Sequence, residues 1–326
     1  MPKFTIRFDL RCPDFMNGTP SAQYQAAIDQ AEWADKLGFN HIMVSEHHGA
    51  NDGYLPSPLV FLAACAARTK NIRLMNAVLL MPLHDPLRVA EDVAVLDLIS
   101  GGRVDLVLGL GYAKQDFENF GIEPKGRGRY LEEGVEILKQ AWTGDWFKYQ
   151  GRKVKVTPKP AQQPRPRILL GGNTAVAAER AARIADGFVP GNPQAYNHYL
   201  EACKEQGRDV TVPNGSLVGP AFLYVSESPE QAWQTILPHA LHEANCYAQW
   251  EKEGGIVGAY NKPQTEDSIR NNPEYRVMMP DECIELFNDL GPEGSAFIHP
   301  LMGGLDPEFA WQSLKIIEEE VLPAIK

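Results

Sequence analysis

Residues 72–121 contain a strand–helix–strand pattern that limits the chain to few folds. An apolar run from Ile72 to Met81 is too short to span a membrane and apolar enough for a strand covered on both faces. Apolar residues then recur at helical spacing from Leu87 to Leu98, Gly101-Gly102 ends the helix, and a second apolar run extends from Val104 to Leu110. This βαβ unit predicts a parallel sheet buried on both faces.

The same alternation continues along the rest of the chain. Further strands are expected at Phe4–Leu10, His41–Ser45, Ile168–Leu170, Gly187–Val189, Ser216–Val225 and Phe297–His299, with helical patterns between them. Strands that alternate with helices in this way favour an α/β fold, and eight of them favour a closed (βα)8 TIM barrel over an open sheet. No linker divides the chain, so one domain over residues 1–326 is predicted.

Two segments depart from this rhythm. Trp146–Val156 alternates like an exposed hairpin, with Gln150-Gly151 as its turn. Glu251–Pro280, after the seventh strand and its helix, is long, rich in Gly and Asn, and only weakly periodic. Long loops in compact domains commonly act as active-site lids, so we expect a mobile lid at residues 251–280.

The composition excludes several classes of protein. The formal net charge is −11, with 31 Lys and Arg and no basic cluster, which argues against nucleic acid as a partner. Five widely spaced cysteines without a C-x-x-C pair fit a reducing compartment, and neither a disulfide scaffold nor a zinc site. The N-terminus lacks a signal-peptide pattern, and no apolar window approaches about 18 residues. We expect a soluble, cytoplasmic protein with no metal and no membrane partner.

The helix after the third strand resembles the corresponding helix of the bacterial luciferase-like monooxygenase family. The members of this family are flavin-dependent (βα)8 enzymes. The matching residues are Arg88, Ala90, Glu91, Asp92, Val93, Ala94, Leu96, Asp97, Ser100, Gly102 and Arg103. Three further matches follow the family's order along the chain: Glu46-His47-His48, Arg129 and the segment Gly171-Gly172-Asn173-Thr174. The resemblance covers almost the whole chain and is strongest up to Gly191. It implies the TIM-barrel fold, FMN as cofactor and a homodimer.

Glu46, His47 and His48 are the first candidate site residues. They follow the second predicted strand, and the loops after the strands of a TIM barrel converge on its active site. Imidazole titrates near neutral pH and can therefore move a proton. By the resemblance, His47 is the catalytic histidine, His48 is a second catalytic candidate, and Glu46 lies beside the flavin. The alternative is a solvated polar turn.

Gly171, Gly172, Asn173 and Thr174 lie between a predicted strand and a predicted helix. Glycines there let backbone N–H groups approach an anion, and the helix N-terminus adds partial positive charge. The resemblance places Arg129 at the FMN phosphate, which a guanidinium binds through two fixed donors. These residues predict the phosphate site, although a tight turn with an Asn or Thr cap needs no ligand.

Asn76, Ala77 and Gly109 are candidates for contact with the flavin ring. The resemblance matches Ala77-Val78 to a site where the family often has a non-prolyl cis peptide, and Asn76 either bonds the flavin or turns into the barrel. Gly109 either lets the ring approach closely or serves packing. Compared with luciferase itself, Gly109 replaces a reactive cysteine, Leu110 a phosphate-binding arginine and Ala177 a phosphate-binding hydroxyl residue. Light emission is therefore not expected.

Four more polar residues lie near strand ends or on the predicted lid: Asp105, Asp116, Arg276 and His299. His299 follows the eighth strand and could form the floor of the pocket, and Arg276 is a candidate for capturing an anionic group.

The resemblance implies a monooxygenase that uses reduced FMN and molecular oxygen to oxygenate a small organic substrate, with a separate flavin reductase as partner. Two alternatives stay open. One is a deazaflavin-dependent hydride-transfer enzyme on the same fold. The other is a non-catalytic flavin-binding barrel subunit, which the changes at Gly109 and Leu110 allow and His47 opposes. The chain has no G-x-S-x-G or Walker motif, so hydrolases and kinases lack their signatures.

Overall fold

The computed structural model describes residues 1–208, 210, 218–256, 258, 260 and 262–325. The strands are β1 (Lys3–Phe8), β2 (His41–Val44), β3 (Arg73–Leu80), β4 (Val104–Gly109), β5 (Phe147–Tyr149), β6 (Arg152–Val154), β7 (Arg167–Gly172), β8 (Gly187–Pro190), β9 (Phe222–Val225), β10 (Tyr275–Met278) and β11 (Ser295–Ile298). The helices are α1 (Pro20–Lys36), α2 (Pro58–Arg68), α3 (Pro86–Ser100), α4 (Lys114–Phe120), α5 (Arg127–Ala141), α6 (Ala175–Ile184), α7 (Pro193–Glu205), α8 (Pro229–Gly254), α9 (Glu266–Arg270), α10 (Pro280–Leu290), α11 (Pro307–Ile316) and α12 (Leu322–Ala324). Within the described residues, no helix is both long and apolar enough to cross a membrane.

Two compact units make up the chain, and each is discontinuous in sequence. The first comprises Met1–Met43, Gly49–Pro56 and Pro213–Lys326, and the second comprises Val44–His48 and Ser57–Val212. The prediction of a single domain stays a prediction.

In the second unit, β3, β4, β7 and β8 lie in that order in one parallel sheet. The helix that connects β3 to β4 starts and stops where the sequence predicts. The Asp85 carboxylate accepts a hydrogen bond from Leu87 N at 2.8 Å, and Pro86 occupies the first turn. Gly101 ends the helix in the left-handed conformation, with a φ of 69°. The βαβ unit is confirmed.

The predicted hairpin is also confirmed. β5 and β6 pair antiparallel, with Phe147 opposite Val154. The two turn residues, Gln150 and Gly151, have φ values of 48° and 74°. Positive φ at both central residues is what a two-residue hairpin turn requires.

In the first unit, β11 and β1 pair in parallel with Ile6 opposite Ile298, and β2 is the next strand of that sheet. β9 and β10 form a second parallel pair in which Tyr275 lies opposite Phe222. The carboxyl ends of β1 and β11 therefore lie at the same edge, which is where TIM-barrel sites are built.

The segment 251–280, predicted as a mobile lid, contains regular secondary structure, and its role as a lid stays a prediction. It includes the end of α8, the helix α9 and the strand β10, whereas residues 257, 259 and 261 lie outside the described part. Ile269 and Tyr275 are 0% and 2% exposed, and they pack in one apolar cluster with Trp233 and Ile236. The alternation of Tyr275 and Val277 carries a strand signal too short to stand out from its polar surroundings.

Three other elements differ from the prediction: one strand differs in its extent, and two helices have no counterpart in the sequence analysis. The seventh strand was expected from Ser216, but β9 begins at Phe222, and residues 216 and 217 lie outside the described part. Helices α4 and α10 were not predicted. The seven residues of α4 are too few to show a helical period, and α10 falls at the end of the expected lid.

Candidate active site

Glu46 is the centre of a buried hydrogen-bond cluster at the ends of β2 and β3. Its Oε1 lies 2.8 Å from Nε2 of His48 and 2.7 Å from Nε2 of His84. Its Oε2 accepts a hydrogen bond from Leu80 N at 2.6 Å. Burial raises the pKa of Glu46, but the hydrogen bonds from His48, His84 and Leu80 N outweigh burial and lower it to about 2. Glu46 is therefore an ionised carboxylate that holds two imidazoles.

His47 points its Nδ1 at a second buried carboxylate. Nδ1 lies 3.2 Å from Oδ2 of Asp116, and Oδ1 of Asp116 accepts a hydrogen bond from His48 N at 2.7 Å. Asp116 is 0% exposed and belongs to α4, directly after β4. When the carboxylate accepts Nδ1–H, the Nε2 atom of His47 is the basic nitrogen. The pair can therefore exchange a proton at Nε2.

The peptide bond between Ala77 and Val78 is cis, and the β3–β4 ladder has a bulge at this point. The Val78 side chain lies against two glycines of neighbouring strands. A Cβ at Gly109 would come within 2.4 Å of Val78 Cγ2, and a Cβ at Gly171 within 2.5 Å of Val78 Cγ1. Of the two explanations for Gly109, the structure favours packing, because Val78 occupies the space that a side chain would need.

Asn76 is 1% exposed and has backbone partners at both ends of its amide. In the orientation that satisfies both ends, the amide donates to Val107 O at 3.2 Å and accepts from Leu79 N at 3.0 Å. The residue therefore ties β3 to β4 across the bulge. Of the two alternatives for Asn76, the structure favours the one in which it turns into the protein.

The segment 171–174 divides into a strand end and a helix cap. Gly171 and Gly172 belong to β7, and a Cβ at Gly172 would come within 2.4 Å of Ala177 Cβ, so this glycine makes room for α6. Asn173 and Thr174 are exposed, and the Thr174 hydroxyl accepts a hydrogen bond from Ala177 N at 3.2 Å. The phosphate nest at this segment stays a prediction, with Asn173, Thr174 and the first turn of α6 as its exposed part.

Arg129 lies in the first turn of α5 with its side chain 87% exposed and its Nε 2.7 Å from Oε1 of Glu133. Its helix is next to α6, because Arg180 of α6 donates to Glu132 of α5 at 2.9 Å. A Cβ at Gly128 would come within 2.9 Å of Arg180 Nη2. α5 and α6 are therefore in contact through Arg180, whose side chain is 13% exposed, whereas the Arg129 side chain is exposed.

Two residues of this site were missed or left without a role by the sequence. His84 follows β3 in a proline turn, and the rule that places barrel chemistry at strand ends could have singled it out. Asp116 was recognised only as a polar residue near a strand end. Its pairing with His47 joins positions 69 residues apart, and no local pattern in one sequence reports such a contact.

This arrangement, with histidines and carboxylates at the ends of parallel strands, occurs in a chain that belongs to the luciferase-like monooxygenase family. The family's sequence model matches residues 6–288. The fold is the α/β TIM barrel of that family. In the solved structure of monooxygenase RslO1 from Streptomyces bottropensis, 25% identical, the similarity covers 98% of this chain and 99% of that one with a TM-score of 0.71.

Two curated relatives match most of the chain. The 4-hydroxyprotoasukamycin monooxygenase of Streptomyces nodosus subsp. asukaensis is 27% identical over 305 residues, which cover 86% of this chain and 80% of the relative. The oxygenase component of the flavin-dependent trigonelline monooxygenase of Acinetobacter baylyi is 27% identical over 275 residues, 79% of this chain and 74% of the relative. The chain is therefore similar to oxidoreductases named as monooxygenases.

Two further solved structures share the fold. The oxygenating constituent of 3,6-diketocamphane monooxygenase of Pseudomonas putida, in complex with FMN, has a TM-score of 0.75 and 20% identity over 100% of this chain and 99% of that one. An F420-dependent secondary alcohol dehydrogenase has a TM-score of 0.70 and 18% identity over 100% of both chains. The fold alone therefore does not choose between the two cofactors.

Proposed function

We propose that this protein is a flavin-dependent monooxygenase that uses reduced FMN and molecular oxygen to oxygenate a small organic substrate. The family match and the two relatives named as monooxygenases support this activity. A bound flavin supplies the electrons that reduce oxygen. The protein binds and orients the flavin and the substrate, and its side chains transfer protons.

The buried His47–Asp116 pair is the observation that carries the proposal. His47 is 7% exposed, and its Nδ1 lies 3.2 Å from the Asp116 carboxylate. A carboxylate at Nδ1 fixes the tautomer and the orientation of the ring, so Nε2 of His47 can take a proton from a substrate or return one. A subunit that only bound flavin would not need this pair, so the pair opposes the non-catalytic alternative.

Glu46 acts in this proposal through its two histidines. Its ionised carboxylate holds the Nε2 atoms of His48 and His84 at 2.8 and 2.7 Å. Both rings therefore have fixed orientations. His48 and Glu46 position this part of the site, and His47 moves the proton.

The exposed N-terminus of α6 fits the phosphate group of FMN. Thr174 accepts a hydrogen bond from Ala177 N, which leaves its own hydroxyl hydrogen to be donated. The first N–H groups of a helix and its dipole favour an anion at that end. Arg129 of the neighbouring helix α5 supplies an exposed guanidinium group, whereas Arg180 of α6 is mostly buried and paired with Glu132. We assign Asn173, Thr174 and Arg129 to the phosphate.

Two features of the assembly belong to the proposal. The relative named as an oxygenase component supports a separate flavin reductase as the source of reduced FMN. α2 and α3 expose apolar side chains: Val60 (73%), Val95 (45%), Leu98 (45%) and Ile99 (50%). These exposed apolar side chains support the predicted homodimer, in which a second copy of the chain would cover them. A cytoplasmic location stays a prediction.

The test is a binding titration with FMN, riboflavin and coenzyme F420, each in oxidised and reduced form. We expect FMN to bind about tenfold or more tightly than riboflavin, since each charge-assisted phosphate hydrogen bond contributes about 1.5–3 kcal/mol. Arg129→Ala and Thr174→Ala should reduce this preference. Arg88→Ala is the matched control, because Arg88 is 70% exposed and pairs with Glu91 in the same helix.

Equal affinities for FMN and riboflavin would contradict the phosphate assignment. Tighter binding of F420 than of FMN would support the deazaflavin alternative, which the shared fold keeps open.

A further inference from the structure

A second polar cluster lies in the first unit around Arg11, three residues after β1. Arg11 is 0% exposed, and its guanidinium carbon lies over three aromatic rings. The distances to the ring centroids are 4.7 Å for Tyr54, 5.4 Å for Tyr247 and 5.0 Å for Trp250. Cation–π contacts of this kind hold a guanidinium in one place and leave its edges for hydrogen bonds.

One edge of that guanidinium is satisfied and the other is not. Nη1 donates to Oδ2 of Asp52. Nε lies 3.6 Å from Oδ2 of Asp9, which is too long for a hydrogen bond, and both Nε and Nη2 are buried without a hydrogen-bond partner among the described residues. Nε and Nη2 are on the same edge, with which a guanidinium donates two parallel hydrogen bonds to a carboxylate.

His299 presents another buried nitrogen to the same carboxyl group. It follows β11 directly, as Asp9 follows β1, and these two strands are parallel neighbours. His299 is 1% exposed, its Nε2 lies 3.7 Å from Oδ2 of Asp9, and Nε2 has no hydrogen-bond partner in the described part of the chain. Burial, together with Arg7 and Arg11, holds the pKa of His299 well below its usual range, so the ring is neutral.

Three buried nitrogens without a partner among the described residues, two of them near the same oxygen of Asp9, indicate a missing partner. A buried donor without an acceptor costs about 1–3 kcal/mol, more when it is charged, and native proteins rarely leave such groups unmatched. At 3.6 and 3.7 Å, Arg11 Nε and His299 Nε2 are both too far from Asp9 Oδ2 to be satisfied by a hydrogen bond to it. A hydrogen-bond-accepting oxygen is the chemistry that would satisfy both Arg11 and His299.

The charges around this cluster decide the kind of ligand. Asp9, Glu243 and His299 have atoms close enough together to chelate a cation. However, Arg7 and Arg11 act electrostatically on the same carboxyl groups, which disfavours a further positive charge. Burial raises the pKa of Asp9 and of Glu243 against the effect of these arginines, which shifts each acid towards its neutral form.

We propose that Arg11 and His299 bind the carboxylate group of a small organic acid. Arg11 Nε and Nη2 donate to the two carboxylate oxygens, and His299 Nε2–H donates to one of them. The ends of β1 and β11 are where a TIM barrel binds its substrate, so the acid is the substrate class of this enzyme. That last step rests on the proposed monooxygenase activity, whereas the binding site does not.

Calorimetric titration of the flavin-free protein with benzoate and with benzamide is the first test. The two molecules have the same size, and only benzoate offers two negatively charged acceptors. We expect benzoate to bind about tenfold or more tightly than benzamide, the difference that a desolvated bidentate pair provides. Equal binding, or no binding of benzoate, overturns the proposal and leaves buried water as the partner of Arg11.

Two variants test the residues. Arg11→Lys keeps the charge beside Asp52 but loses the two-donor edge, and His299→Gln keeps a polar side chain. Each variant should weaken the binding of benzoate about tenfold and leave the binding of benzamide unchanged. The control is Arg270→Lys, because Arg270 also lies over an aromatic ring, 5.5 Å from Trp233, and pairs with Glu230 at the surface.

Arg11→Lys with native affinity for benzoate overturns the assignment. If either variant does not fold, the comparison of benzoate with benzamide in the native protein decides alone. FMN affinity is measured on the same samples. FMN binding without benzoate selectivity refutes the carboxylate site only, and benzoate selectivity without FMN binding refutes only the proposed function.

Discussion

Nδ1 of His47 lies 3.2 Å from Oδ2 of Asp116, and the other oxygen of that carboxylate accepts the backbone N–H of His48 at 2.7 Å. One buried carboxylate thus fixes the ring of His47 and also the peptide that follows it. Strand β2 ends just before His47 and α4 begins just before Asp116, so two rigid elements set the distance between them. A carboxylate at Nδ1 in this way holds a histidine in one tautomer.

His47→Ala should lower turnover by about 10²–10⁴-fold with little change in flavin affinity, which is the usual contribution of a positioned acid–base group. Asp116→Asn should lower turnover less, because the imidazole remains but loses its charged partner. The measurement is product formation with any substrate that the enzyme oxygenates, beside a thermal melt. His198→Ala is the control, since that histidine is half exposed and pairs only weakly with Glu201 at 3.8 Å. Native turnover with a lower melting temperature would make His47 structural.

Glu46→Gln should destabilise the protein by about 1.5–3 kcal/mol at neutral pH, because charge-assisted hydrogen bonds to His48, His84 and Leu80 N are weakened. The pKa of Glu46 is lowered from 4.5 to about 2, so its stabilisation is complete above pH 4.5 and is lost as the pH falls towards 2. The stability difference between the native protein and the variant, from urea unfolding, should therefore shrink across that range. Glu118→Gln, at an exposed pair with Lys114, should show no such change. A difference that stays constant down to pH 2 would contradict the lowered pKa.

The motif from Arg88 to Arg103, which resembles the luciferase-like family, stabilises the fold rather than performing chemistry. The Arg103 guanidinium donates to the carbonyl oxygens of Ala66, Thr69, Ile72 and Ser100 at 2.6–3.0 Å. Asp97 accepts from the backbone and side chain of Gln162 at 2.8 and 2.7 Å. Local patterns of this kind, together with strand–helix alternation, were sufficient to predict the fold.

The candidate site could be predicted only in part. The position of Glu46, His47 and His48 follows from one strand end, which a single sequence shows. Their partners come from β3 and α4, and the reason for Gly109 lies in the side chain of Val78 on another strand. Such contacts depend on how strands are placed beside each other, which no local pattern encodes.

Ile269→Ala should cost about 2–5 kcal/mol, and deletion of residues 266–278 should prevent stable folding. The reason is that Ile269 and Tyr275 belong to the core of the first unit, where Tyr275 also donates to Glu243 at 3.1 Å. This outcome differs from that of a lid, whose removal leaves a folded protein. Urea unfolding is the measurement, with Val218→Ala as control because Val218 is 67% exposed. A deletion variant with native stability would support the lid prediction for the whole segment.

His242 should make the first unit less stable at alkaline pH. A hydrogen bond of 2.7 Å with Asp52 raises the pKa of His242 from 6.5 to about 9. A raised pKa gives stability that is complete below pH 6.5 and is lost as the pH rises through 9. We expect the melting temperature to fall over that window and the fall to be smaller in His242→Gln. The exposed His198→Gln should melt like the native protein at every pH, and an identical fall in His242→Gln would assign the effect to another group.

Gly109→Ala should destabilise the protein by about 1–3 kcal/mol, because its Cβ would come within 2.4 Å of Val78 Cγ2. Val78→Ala removes both γ carbons that the new Cβ would meet. Gly109→Ala should therefore cost much less stability in the Val78→Ala variant than in the native protein. The difference between these two costs is the coupling energy of two residues in contact. Flavin affinity of the stable double variant then separates the two explanations for this glycine. Native affinity would show that Gly109 is present for packing against Val78. Affinity that stays low after stability returns would instead show that the flavin ring needs the space above Gly109.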